Sequence, residues 1–462
     1  MTDGNRTRPK ATVTFVETAR EVPRRGMFCQ IGVDINFNDQ ILSAYLHRAP
    51  TSLILDVIRL VAAVAHVDRR VPRRQSVCWG RDLHLRLPMS DPAFWSAPKR
   101  VDELSCLLGA LTGDKWGFSF RARSRADIRS QVRVEQLPFP PDGAPAMAYS
   151  EGLDSFAVAR LAASGALDLP GRERDHPLDI VLVTTGRRRD AQRSYKWTSF
   201  GGRLRRVAVP FQISRGGRPY RLRESTYRSR AFVFQTLAAI AAAQTESDLV
   251  IVAESGQGSL APWLAPVGRE SPDIRTNPIF TTKLASFLHP VLGRRVSFVH
   301  PQLFDTKGRT LELLASKRLH DGWASSFSCA SHPRHQGRGP RTHCGICPNC
   351  LLRRQSALFA QLQAGDAPYA SDLSARAEQD PHAPIPLGFI PGYQFARVLD
   401  EPFAEPITRA RCHELALALN RPESEVILGV KRLVHNHAEE LAALVSTLSV
   451  GSRYSEIVCA YE

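Results

Sequence analysis

The chain has 462 residues, a mass of 51.2 kDa and 43% apolar against 23% charged residues, so whole-chain disorder is excluded and about three domains of typical length would fit. The longest apolar stretch, residues 53–67, is interrupted by Asp56 and Arg59. It therefore falls short of the ~18 uncharged residues of a membrane span, and with no apolar segment among the first ten residues a cytoplasmic, non-membrane protein is expected.

Residues 1–145 read as an N-terminal α+β module. Short strands are predicted at 11–17 and 28–37, then a helix from Thr51 or Ser52, with Leu53, Val57, Leu60, Val61 and Val64 on one face. Strict alternation from Leu83 to Leu87 predicts a strand, residues 101–113 a helix and residues 117–124 a further strand. Pro138, Pro140, Pro141, Gly143 and Pro145 mark a connector.

From residue 146 to about 365 the pattern becomes strand–helix alternation. Apolar strands are expected near 145–149, 178–185, 203–213, 248–255 and 296–304, separated by helices near 156–166, 225–245 and 277–292; a helix near 306–319 follows. Runs of Val, Ile and Leu bounded by helices predict an α/β fold with a parallel sheet covered on both faces, and active sites in such sheets lie at the carboxyl ends of strands. Residues 366–462 read as a loop followed by a helical C-terminal extension. In it His435 and His437, two apart, are expected on different helix faces as surface residues.

The net charge of +16 is concentrated: fourteen of 61 basic residues and two acids, Asp190 and Glu224, fall between Arg187 and Arg230. Such a belt suits a nucleotide triphosphate, an acidic partner or a nucleic acid. Its place inside the central domain favours the first two.

Two local patterns carry chemistry. Ser150, Glu151, Gly152, Leu153, Asp154 and Ser155 lie between a strand and a helix. Small residues there admit backbone N–H groups to an anion, the helix dipole adds to the attraction, and the serine hydroxyls can donate to phosphate oxygens. Asp154 could serve Mg²⁺ or the turn's own amides, and Ser150 or Asp154 could equally act as a plain helix cap. The second pattern is Cys344, Cys347 and Cys350 in C-x2-C-x2-C spacing, with Cys329 fourteen residues upstream. Four thiolates suit a tetrahedral, closed and hence structural Zn²⁺, with an iron–sulfur cluster as the alternative. His332, His335 and His343 lie in or beside that loop and could replace one sulfur, though the simplest reading leaves them exposed; Cys29, Cys78, Cys106, Cys412 and Cys459 are expected as buried small apolar residues.

The stretch from Ser150 to Ser155 resembles the SGGxDS pyrophosphate loop of the PP-loop ATP pyrophosphatases (adenine nucleotide alpha hydrolase-like), with Glu151 in place of the first glycine. Together with Phe327–Ser328–Cys329 and residues 344–354, CGICPNCLLRR, it resembles the 7-cyano-7-deazaguanine synthase (QueC-type) branch of that family. The chain's added N- and C-terminal regions look more like the QueC-like components of anti-phage Qat and type IV CBASS operons. The resemblance implies ATP, Mg²⁺ and Zn²⁺ as cofactors, Ser150 to Ser155 as the nucleotide loop, and Asp154, Arg230 and Lys307 as catalytic residues. Arg230 and Lys307 would neutralise charge on the α-phosphate, and Glu254 could contact the substrate. It further implies adenylation of 7-carboxy-7-deazaguanine and amide formation with an amine of an operon-encoded partner protein. The alternatives are nitrile synthesis from ammonia, a tRNA-modifying PP-loop enzyme, and a scaffold without ATP turnover.

Overall fold

The computed structural model describes residues 7–37, 50–74, 77–124, 143–186, 198–199, 203–215, 218–219, 223–224, 226–266, 272–330, 342–374, 386–399 and 404–448. The chain divides into two compact units that interleave along the sequence. The first comprises Met1–Ala148, Pro177–Val252 and Gly268–Val299; the second comprises Tyr149–His176, Ala253–Val267 and His300–Glu462.

The first unit holds two sheets. One is formed by β1 (Lys10–Val16), β2 (Met27–Gln30), β4 (Asp82–Met89) and β5 (Lys115–Ala122) in the order β2-β1-β4-β5. All three pairings are parallel. This corrects the expected α+β arrangement of the N-terminal region. Neighbouring strands β4 and β5 are joined by helices α2 (Pro92–Ser96) and α3 (Pro98–Thr112), a crossover that parallel pairing requires. The predicted alternation is met: Leu83, Leu85 and Leu87 are buried. Helix α1 (Ser52–Arg70) starts where its residues predict, with the Thr51 hydroxyl accepting the Ile54 N–H at 3.3 Å.

The second sheet contains β6 (Ala146–Ala148), β7 (Ile180–Gly186), β9 (Leu204–Arg215), β11 (Leu249–Ile251) and β12 (Ser297–Val299) in the order β9-β7-β6-β11-β12, all parallel. Counted from β6 this is 3-2-1-4-5. The short strands β3 (Ile35–Phe37), β8 (Thr198–Ser199) and β10 (Arg218–Pro219) pair antiparallel with β9. β3 comes from the N-terminal region, so that region contributes to both sheets. Helix α5 (Arg230–Gln244) packs on β6, β7 and β11, and its alanine-rich length is buried almost all round, as a helix enclosed by neighbours must be. Helix α8 (Pro278–Leu292) packs on α5 and on α3.

A buried ionic group ties the first unit together. Arg73 and Arg81 each bridge Asp68 and Asp114 at 2.6–2.9 Å, with all four side chains fully buried. Asp68 also accepts the Ser229 N–H at 2.8 Å, so a residue of α1 holds the start of α5.

The parallel order reverses between β6 and β11, the place where open α/β sheets bind ligands outside the strand ends. After β6, β11 and β12 the chain passes into the second unit, at Tyr149, Ala253 and His300. That unit contains α4 (Leu153–Ala163), the short α6 (Gly256–Ser259) and α7 (Ala261–Leu264), α9 (Lys307–Ser316), α10 (Pro348–Phe359), α11 (Phe389–Ala396), α12 (Ala404–Leu419) and α13 (Glu423–Ser446). Helix α13 presents Val426, Val430, Leu433, Leu441 and Leu444 to its neighbours and packs on α10, α11 and α12. Leu441 and Leu444 share a core cluster with Leu351, Leu373 and Phe389.

Candidate functional site

All of the described site residues around the Ser150 turn belong to the second unit. Gly152 is the N-cap of α4, no side chain caps that end, and so its first N–H groups lack the usual side-chain acceptor. The Ser150 hydroxyl oxygen lies 3.2 Å from that of Ser155 and accepts the Gly152 N–H at 3.3 Å, while the Ser155 hydroxyl donates to the Gly152 carbonyl at 3.0 Å. Leu153 and Ser155 are buried and Ser150 is exposed, so the turn is anchored on one side and open on the other.

Glu151 has φ of +60°, the left-handed region that glycine enters without strain. The backbone thus keeps a glycine-like conformation although the residue is glutamate. Its carbonyl accepts the Phe327 N–H at 3.0 Å. A Cβ on Gly152 would stand 3.2 Å from the Ser150 hydroxyl and 3.7 Å from the Phe327 carbonyl, so a side chain there would crowd the turn.

Asp154 and Lys307, 153 positions apart, are brought together: the Lys307 ammonium lies 2.5 Å from Asp154 Oδ2. Asp154 Oδ1 is buried and accepts no hydrogen bond among the described residues. Asp154 therefore does not cap the turn, and one of its oxygens is left available. Burial opposes the charge of Lys307, but Asp154 and Glu254 outweigh it and raise the amine's pKa, so the ammonium form is secured. Lys307 is the first residue of α9. Thr306 caps that helix by accepting the Arg309 N–H at 3.1 Å, and the Lys307 N–H goes to the Gln257 side-chain carbonyl at 2.8 Å.

Arg230, the third expected catalytic residue, belongs to the first unit. It is exposed at the head of α5, with its guanidinium 5.3 Å from the Phe234 ring centre. Much of the basic belt from Arg187 to Arg230 lies outside the described residues.

The four expected cysteines converge. The sulfurs of Cys329, Cys344, Cys347 and Cys350 all lie within 4.8 Å of one another, a group that could hold a metal ion. Cys344 and Cys350 are buried. Gly345, with φ of +90°, makes the tight turn between Cys344 and Cys347, where a Cβ would meet the Ser371 carbonyl at 2.7 Å. The Cys344 N–H donates to Cys329 Sγ at 3.4 Å and the Cys347 N–H to Cys344 Sγ at 3.3 Å. A hydrogen bond with Cys350 lowers the pKa of the Cys347 thiol and raises that of Cys350.

Several single-residue expectations need correction. His343 is buried, not exposed: its ring packs against Phe327 and Tyr369, and Nε2 accepts the Ser328 N–H at 3.2 Å. His332 and His335 lie outside the described residues, as does Cys459. Cys29 and Cys412 are buried as expected, but Cys78 and Cys106 are exposed, because both sit on surface faces that small size alone does not reveal. His435 is exposed, whereas His437 is 2% exposed, because its face of α13 is covered by neighbouring helices.

Sequence reasoning also missed Arg353. Three residues past Cys350 on α10 and fully buried, it binds Asp366 at 2.6 Å, the Ser326 carbonyl at 3.0 Å and the Ala324 carbonyl at 3.2 Å, and lies 4.8 Å over the Trp323 ring. The segment it pins leads directly to Phe327 and Cys329, so the cysteine cluster and the Ser150 turn share one support.

No family model matches the chain, and no curated protein matches it significantly. Among the described residues no helix is long and apolar enough to cross a membrane.

Proposed function

We propose that the chain is an AMP-forming carbon–nitrogen ligase of the PP-loop, QueC-like type. In this reading it adenylates 7-carboxy-7-deazaguanine and joins it to an amine of a partner protein in anti-phage defence. The observation that carries the reading is the Asp154–Lys307 pair at the uncapped N-terminus of α4, beside two facing serine hydroxyls. The left-handed backbone at Glu151 supports it, because the departure from glycine in sequence is not a departure in conformation. The convergence of the four cysteines supports the same branch of the family.

The chemistry starts from a carboxylate, whose oxide would be a poor leaving group. A carboxylate oxygen of the deazaguanine attacks the α-phosphorus of ATP, a C–O–P linkage forms, and the bond from the α-phosphorus to the bridging oxygen breaks to release pyrophosphate. The partner's amine then attacks the acyl carbon; a C–N bond forms, AMP leaves with the oxygen, and the amine gives up a proton. Ser150, Ser155 and the first amides of α4 are the donors for the departing pyrophosphate. Lys307 supplies positive charge where negative charge develops on phosphate oxygens. The available Asp154 oxygen would help hold Mg²⁺, which would supply positive charge against the triphosphate. The four thiolates fit a closed zinc site that holds structure and leaves no position for substrate.

The test is purified protein with ATP, Mg²⁺ and 7-carboxy-7-deazaguanine, assayed for AMP and pyrophosphate, alone and with co-expressed neighbouring gene products. A mass gain on one of those proteins supports the ligase reading. Efficient conversion of added ammonia into nitrile, with no protein gaining mass, replaces it by the synthase reading.

A further inference from the structure

The C-terminal helix α13 carries two buried titratable side chains, His437 and Glu440, which the proposed chemistry does not use. Glu440 reaches the start of α9 directly and His437 reaches it through Gln257. Gln257 links the first of them: its carbonyl oxygen accepts the Lys307 N–H at 2.8 Å and its amide nitrogen contacts His437 Nδ1 at 2.8 Å. The amide must therefore donate to Nδ1, which makes Nδ1 an acceptor and leaves the proton on Nε2. That nitrogen faces the Gly392 carbonyl at 3.0 Å, a partner that can only accept, so both contacts require the same neutral tautomer. Burial also lowers the pKa of His437, to about 4, which keeps the ring neutral.

Glu440 holds the adjacent residue. It accepts from the Thr306 hydroxyl and from the Gln355 amide at 3.2 Å. Gly308 lies against the same carboxylate, and a side chain there would collide with it. Thr306, Lys307 and Gly308 are thus each met by Glu440 or by the Gln257–His437 relay, and all of these residues lie within the second unit.

We propose that α13 is a positioning element for the nucleotide site: through His437–Gln257 and Glu440–Thr306 it fixes the first turn of α9 and so sets the Lys307 amine on Asp154. This rests on the ligase reading for its role in turnover, but the positioning itself is measurable without it. The C-terminal extension is then part of the site's frame.

The experiment is amine-reactive labelling of the intact folded protein, with the rate at Lys307 read by peptide mass spectrometry in wild type, His437→Leu, His437→Asn and Gln257→Leu. Asparagine can keep the acceptor that Gln257 needs; leucine cannot. The expected result is labelling of Lys307 about tenfold faster in His437→Leu and Gln257→Leu, the change that follows a fall of about one pH unit in an amine's pKa, with a return toward the wild-type rate in His437→Asn. A general loss of packing would instead also open the buried Cys412 thiol, on the helix packed against α13, to a thiol reagent. Unchanged Lys307 labelling in folded Gln257→Leu, or acceleration at Lys307 matched by exposure of Cys412, overturns the proposal. If the labelling result holds but wild-type protein forms no AMP, the positioning stands and the ligase reading falls.

Discussion

Glutamine at position 440 gives a quantitative test of the buried network. Burial raises the Glu440 carboxyl from its ordinary 4.5 to about 7, against the opposing effect of hydrogen bonds from Thr306 and Gln355 and of Arg309; Glu312 adds to the rise. Below about pH 4.5 the group is neutral in folded and unfolded chains, and burying it carries no ionisation penalty. As pH rises the unfolded chain ionises first, so folded-state stability falls until the folded group also ionises near pH 7. From those two values the penalty is about 1 kcal/mol at pH 5 and about 3 kcal/mol at pH 8, the latter an upper figure because relaxation around the charge reduces it. Glu440→Gln cannot ionise and escapes this dependence. Urea unfolding of both proteins, followed by tryptophan fluorescence between pH 5 and pH 8, should show the variant gaining on wild type by roughly 2 kcal/mol across that range. A stability difference that stays flat with pH would refute the buried, raised carboxyl.

Other expectations follow from the same geometry. Lys307→Met leaves a mostly buried Asp154 without its cation, so a loss of up to about 3 kcal/mol in stability is expected, and AMP formation should fall by about 100-fold or more; a double variant with Asp154→Asn should recover much of the stability and none of the activity. Glu151→Gly should be neutral to stabilising by about 1 kcal/mol in thermal unfolding, because it relieves the left-handed backbone. Cys347→Ser should lower bound zinc, measured by mass spectrometry of metal content, and should expose the Phe327–Cys329 segment to hydrogen exchange; unchanged metal content would remove Cys347 from the site. Arg230→Ala should reduce AMP formation if the resemblance assigns that residue correctly, while leaving Lys307 labelling unaltered.

What could be read from the sequence was local. The helix after Thr51, the alternation through Leu83 to Leu87 and the cysteine spacing depend on neighbours within about one or two dozen positions, so period and spacing disclose them. The Ser150 turn was legible for the same reason, although the conformation of Glu151 was not: left-handed backbone at a glutamate has no compositional signal. Pairing over long separation was hidden. Nothing near Gln257 announces His437, 180 residues away, and a histidine on an amphipathic helix looks like a surface residue until other helices cover it. The fully parallel N-terminal sheet was missed because strand direction depends on crossovers, not on the strands' own alternation. Arg353 was hidden differently: it sits in a basic pair after a cysteine motif, where solvent exposure is the default expectation and only the bound carbonyls show otherwise.

The most direct measurement is AMP release from radiolabelled ATP by purified wild-type chain and by Asp154→Ala, with and without 7-carboxy-7-deazaguanine. AMP and pyrophosphate are expected in equal amounts, dependent on the deazaguanine and abolished in the variant. ADP in place of AMP, or AMP release that survives loss of the Asp154 carboxylate, would contradict the ligase reading.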